Sequence, residues 1–157
     1  MTMRIAAMLL TLAPSVAFAA GACPADVATA RKFFEHLSHK DVDAAAELWA
    51  TDARIWIPYP PRGGVSDIVG KQEIFSGFRT LFQNYARFDA QVNAVYPAAD
   101  SDAVIVEYTV DALLESGTTY ENTNIAVFRF RDGKIAAYHD YFDPRRYQAV
   151  VDAQPKP

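Results

Sequence analysis

The sequence predicts an α+β domain on two observations. Its hydrophobic period is mostly helical as far as residue 85 and becomes two from Phe88 onward, and the helices precede a meander of long strands. The chain has 157 residues, 51% of them hydrophobic, with ten Phe, eight Tyr and two Trp. Burying that much apolar surface offsets the entropy of ordering, which excludes disordered and fibrous classes, and the length suits one domain better than two.

Each element follows from local pattern. Pro24 to Leu37 places Val27, Ala30, Phe34 and Leu37 on one helical stripe, and Asp41 caps a short second helix that buries Val42, Ala45, Leu48 and Trp49. Ala53 to Ile57 reads as a strand. The Pro/Gly-rich stretch Pro58 to Gly64 then forces a loop, and Lys71 opens a third helix with the stripe Ile74, Phe75, Phe78, Leu81, Phe82 and Tyr85. Four strands are expected over Phe88 to Tyr96, Asp102 to Leu114, Tyr120 to Arg131 and Lys134 to Phe142, separated by turns at Pro97 to Asp100, Glu115 to Gly117 and Asp132-Gly133. Apolar residues on both faces of the later strands suggest helices on one face and a second subunit on the other. The expectation is a homodimer with Val106, Tyr108, Ile125, Val127, Ala137, His139 and Tyr141 in contact.

The N-terminus has Arg4, the apolar run Ile5 to Ala13, and Ala17 and Ala19 at signal-peptidase spacing, so residues 1–20 read as a leader cleaved near Ala19 or Ala20. Export places the domain, residues 24–150, in the periplasm or outside the cell, with 151–157 as a disordered tail and no membrane span left after cleavage. Cys23 is the only cysteine, so no internal disulfide forms. The preceding Ala20-Gly-Ala lacks the Leu of lipoprotein signals, which argues against a lipid anchor on Cys23. Net charge is −4, with no basic stripe, which argues against nucleic acid. His36 and His39 have a metal-compatible spacing but no third ligand, so no metal is expected.

The run Tyr120-Glu-Asn-Thr-Asn-Ile-Ala-Val-Phe-Arg-Phe-Arg-Asp-Gly-Lys-Ile-Ala-Ala-Tyr-His-Asp-Tyr-Phe-Asp-Pro144, together with Trp49-Ala-Thr-Asp-Ala53 and Gly70-Lys-Gln-Glu-Ile74, resembles the SnoaL-like branch of the nuclear-transport-factor-two-like superfamily over about residues 26 to 148. The resemblance implies a conical half-barrel, a curved and mostly antiparallel sheet wrapped on the N-terminal helices. It implies a small apolar or aromatic ligand inside the cone and no cofactor. The nearest likeness is to the phenazine-biosynthesis A/B and polyketide-cyclase types, in which one acid four residues before the final Pro faces the pocket. Asp140 resembles that acid.

With Asp140 turned inward, alternation brings Tyr138 and Phe142 to its side and sends His139 and Tyr141 to the other. The neighbouring strand then presents Asn122, Asn124, Ala126, Phe128 and Phe130. The base and second acid of ketosteroid isomerases match Ile57 and Ala126 here, which speaks against that activity. The acid-Arg-acid relay of limonene-epoxide hydrolases keeps Asp140 and finds a second acid in Asp111, but Thr109 stands at its Arg, and Ile55 and Ile57 at its water-holding pair. The expected site is therefore Asp140 as general acid/base, with Asn122, Asn124, Phe128, Tyr138, Phe142, Ile57, Thr109 and Asp111 around the ligand. Two alternatives stand beside it. Asp140 is equally suited to clamping the chain end through Arg145 or Arg146, and the fold also suits a non-catalytic ligand carrier or dimerising interaction module.

Overall fold

The structure is a computed structural model that describes residues 21–153. The expected leader and residues 154–157 of the expected tail lie outside the described residues. The elements are α1 (Pro24–Ser38), α2 (Val42–Glu47), β1 (Trp49–Trp56), β2 (Asp67–Val69), α3 (Lys71–Gln83), β3 (Tyr85–Pro97), β4 (Ala103–Leu114), β5 (Thr119–Arg131), β6 (Lys134–Tyr141) and α4 (Pro144–Asp152). The strands form one curved, unclosed sheet in the order β2-β1-β6-β5-β4-β3, antiparallel except where β1 runs parallel to β6. The α+β half-barrel is thus as expected.

The core lies between α1, α3 and the concave face. Phe33 and Phe34 on α1 are fully buried, and Phe33 meets Trp49, Phe78, Phe128 and Tyr138 with ring centroids 5.3 to 6.2 Å apart. These tilted and edge-on contacts close the narrow end of the cone. Asp41 caps α2, accepting from Ala44 N–H at 3.1 Å, as its position predicts.

Several elements differ from expectation for local reasons. Tyr85 begins β3 and does not end α3, because α3 stops at Gln83 with Asn84 as its C-cap. β2 is only three residues long and is fastened to β1 by Arg54, whose Nε and Nη2 reach the two Asp67 carboxylate oxygens at 2.6 Å. α4 was not expected, and Val151 and Asp152 belong to it and not to a tail. Its start is conventional: Asp143 is the N-cap, accepting from Arg145 N–H at 2.9 Å, with Pro144 in the first turn.

Sheet parity corrects part of the expected interface. β5 alternates strictly, with Tyr120, Asn122, Asn124, Ala126, Phe128 and Phe130 buried. Directly paired residues share a face, and the register sets Val106 against Ala126 and Tyr108 against Asn124. Val106 and Tyr108 therefore face the core and are closed to any partner. The outer face keeps Ile125, Val127, Ala137, His139 and Tyr141, joined by Trp56, whose ring meets His139 at 5.1 Å and Tyr141 at 6.5 Å.

Candidate functional site

The concave face and the helices enclose a cavity of about 370 Å³. Its walls are mostly aliphatic and aromatic, from Leu37 on α1, Ile55 and Ile57 at β1, Ile74, Phe78 and Leu81 on α3, Phe88 on β3 and Val110 on β4. The loop after β1 contributes Pro61, Gly63, Gly64 and Val65 to the mouth, where Arg62 N–H donates to Gln148 Oε1 of α4 at 2.8 Å. The polar lining consists of Asp140, Asn124 and the phenols Tyr85, Tyr108, Tyr120, Tyr138 and Tyr147. Among the described residues no Lys or Arg lines it.

Asp140 sits on β6 beside Ala126 of β5. Tyr108 Oη donates to Asp140 Oδ1 at 2.8 Å and lies 3.0 Å from Tyr138 Oη. A hydroxyl has one proton, and that of Tyr108 is committed to Asp140, so Tyr138 donates to Tyr108. Burial pushes the Asp140 carboxyl up to about 7, against the hydrogen bond from Tyr108 that pulls it back. Burial also raises Tyr108 and Tyr138 well above the ordinary phenol range, so both stay neutral beside it.

The chain-end cations lie elsewhere. Arg145 pairs with Asp143 at 3.2 Å, and Arg146 donates to the Glu121 carbonyl at 3.3 Å. Asp140 is therefore not their clamp. With the cations engaged outside and the walls apolar, desolvation of Asp140 has no counter-charge to offset it.

The other sequence-derived residues divide cleanly. Ile57, Asn124, Tyr138 and Phe142 line the cavity with Asp140. Asn122 is buried beneath it, donating to Tyr120 Oη at 2.9 Å and to the Asp143 carbonyl at 3.1 Å, so it joins α4 to the sheet. Phe128 is sealed in the core at the narrow end. Thr109 and Asp111 require correction. They point outward because their even-numbered neighbours face the core; Thr109 accepts from Asn93 at 2.9 Å, and Asp111 is exposed and paired with Arg87 at 2.8 Å. Tyr108, Tyr85, Tyr120 and Tyr147 are the polar lining residues that sequence reasoning missed. The apolar even face of β4 is the signal for Tyr108, and Asp143-Pro144 as a helix start is the signal for Tyr147.

Two residues that line the cavity carry a polar atom that is closed off and has no hydrogen-bond partner among the described residues. The atoms are Asn124 Oδ1, in a side chain 4% exposed, and Tyr85 Oη, in one 1% exposed. A shallower depression of about 400 Å³ lies at the other side of Asn124, among Tyr59, Glu107, Ile125 and Tyr141. Among the described residues no His, Cys, Asp and Glu are grouped to hold a metal ion, and no helix is long and apolar enough to cross a membrane.

Comparison with known proteins agrees with this architecture. The chain is 34% identical to the Bacillus subtilis protein YesE over 117 residues, 74% of this chain and 80% of that one. It is 29% identical over 112 residues to the PhzA/B-like protein PA3332 of Pseudomonas aeruginosa, covering 71% and 79% respectively. Among solved structures, a Bacillus subtilis protein superposes with a TM-score of 0.73 at 32% identity, covering 83% of this chain and 94% of its own. An epoxide hydrolase of the limonene-epoxide-hydrolase-like type from M. tuberculosis has a TM-score of 0.63 at 22% identity over 82% and 90%, a likeness of fold alone. Residues 30–138 match the sequence profile of the SnoaL-like domain, and the chain belongs to the SnoaL-like family.

Proposed function

We propose that the protein binds a small neutral apolar or aromatic molecule in the cone and moves a proton on it through Asp140, as a cofactor-independent isomerase or cyclase. One observation carries this reading: Asp140 borders a largely apolar cavity with a phenol for its partner and without a cation. A carboxyl titrating near 7 takes and returns protons at neutral pH, which general acid/base action requires. In the ionised form it accepts a proton from a carbon next to a substrate carbonyl. The C–H bond breaks, its electron pair moves into the carbonyl as an enolate, and the proton rests on Asp140 until it returns at the same or a second carbon. Such transfer is worth about 10² to 10⁴ in rate. Tyr108 holds Asp140 in place, and the bond from Tyr138 holds Tyr108.

The test is exchange of the α-hydrogens of 2-tetralone in D2O, followed by NMR, for the wild type and Asp140→Asn. Exchange in the wild type and its loss in the variant, with binding retained, supports proton transfer. Equal exchange in both sinks it, and a variant altered only in affinity favours a ligand carrier. The same reading includes export on residues 1–20 and a homodimer through the outer face around Trp56, Ile125, His139 and Tyr141. The first two of these are 40% and 43% exposed, large for apolar side chains on a sheet. The intact mass of the cell-exported form and light scattering at micromolar concentration test those two points.

A further inference from the structure

Three aromatic rings stand beside Asp140 with no part in the proton transfer. Phe142 lies two residues beyond it on the same side of the sheet, and Tyr147 of α4 meets Phe142 at 5.2 Å and Tyr120 of β5 at 5.6 Å between ring centroids. These contacts are tilted by 55° and 77°, so the rings do not stack on one another and keep faces free for a guest. Tyr147 is near enough to feel the carboxylate: burial first, and then the Asp140 charge, push its phenol up to about 12. Burial also raises Tyr120, with the Asp140 charge a smaller cause. Asp140, Phe142 and Tyr147 are each half-buried and line the cavity, so their surfaces are open to its contents.

Aromatic faces and one carboxyl make a cage for a cation. An ammonium group is drawn to the negative face of an aromatic ring, most strongly where water is scarce. The carboxylate supplies the counter-charge, and Tyr108 takes only its Oδ1, at 2.8 Å, which leaves acceptor capacity for a guest. The titratable groups that face Asp140 are phenols kept neutral by burial: Tyr108 from β4, Tyr120 from β5, Tyr138 from its own strand, Tyr147 from α4 and, across the cavity, Tyr85 from β3. From α1, α3 and the loop after β1 the lining receives only apolar side chains and glycines. The ionised carboxyl is thus a desolvated charge with no cation of the lining to offset it, and a cationic guest removes that cost.

We propose that the cone is also a site for an organic cation, an apolar amine or quaternary ammonium compound whose nitrogen sits between Asp140 and the rings of Tyr120, Phe142 and Tyr147 while its hydrocarbon body lies on the aliphatic wall. Neutral molecules enter in either charge state of the carboxyl, whereas the cation needs the ionised one, so it competes with them increasingly as pH rises. The inference rests on the cone being a ligand site, as proposed above, and not on any reaction at Asp140.

The test uses two probes of the same shape, phenyltrimethylammonium and its neutral carbon isostere tert-butylbenzene, followed by NMR chemical shifts of the protein at pH 8 and pH 5, either side of the carboxyl's midpoint. Neither probe titrates, so any pH effect belongs to the protein. At pH 8 the wild type is expected to bind the cation about tenfold or more tightly than the isostere, the worth of a desolvated cation–ring contact with its counter-charge. At pH 5 most of that preference should vanish. Asp140→Asn should show the low preference at both pH values. Tyr147→Leu should lower the preference at pH 8, and Tyr147→Phe, which keeps the ring, should not. Equal affinities in the wild type at pH 8, or a preference that neither pH nor Asp140→Asn alters, would overturn the cation site while leaving the cavity reading intact. The wild-type comparison decides the matter where a variant fails to fold. Failure of both probes to bind up to their solubility would overturn the cavity reading with it.

Discussion

Replacing Asp140 with Asn changes a group that ionises into one of nearly the same shape that does not, and the consequence for folding has a definite sign. The carboxyl titrates at about 7 in the folded protein against an ordinary value of 3.8. Between those values the folded chain holds a proton that the unfolded chain has released, so stability falls as pH rises from about 4 to about 7 and levels off above. The full interval corresponds to about 4 kcal/mol, of which roughly 2.5 kcal/mol accrues between pH 5 and pH 8. Urea denaturation of both proteins at those two pH values reads it directly. The wild type should lose ground to Asp140→Asn by about that amount on going to pH 8. Parallel pH profiles would mean that the carboxyl titrates normally. A wild type that gained on the variant at high pH would mean that Asp140 is held as a carboxylate by a donor or cation, and either result refutes the desolvation argument.

Tyr108→Phe removes the hydrogen bond that pulls the Asp140 carboxyl down, so the pH midpoint of stability or of hydrogen exchange should move above its wild-type position, and an unmoved midpoint would show that the bond does not form in solution. Phe33→Ala, at a fully buried ring touching five other aromatics, should cost about 3 to 5 kcal/mol in urea denaturation, and a loss under about 1 kcal/mol would mean that the narrow end of the cone is loosely packed.

The helices and long strands were legible because their burial patterns are periodic. The resemblance turned Asp140 inward, alternation then carried Tyr138 and Phe142 with it, and matching the neighbouring strand named the inward residues of β5. What a single strand does not carry is its register with the next. The even positions of β4 were visibly apolar, yet only the pairing of Tyr108 with Asn124 puts Tyr108 over Asp140 and turns Thr109 and Asp111 to the outside. Tyr85 fell on the wrong element because an aromatic one residue past a helix cap extends the helical stripe as well as it starts a strand. β2 pairs with β1 over only three residues, too few to show a period.

These failures share a physical origin, and it bears on function. The phenols around the cavity have apolar rings and polar tips, so pattern reading counts them as core grease. Packed from the helix side, the rings of Tyr85, Tyr108 and Tyr138 do behave as core, while their hydroxyls set the chemistry of the hollow. A wall built this way raises the Asp140 carboxyl through its rings and positions that carboxyl through its hydroxyls. Substituting Phe for Tyr at these positions therefore separates the two contributions, since the low-dielectric surroundings remain and only the hydrogen bonds are lost.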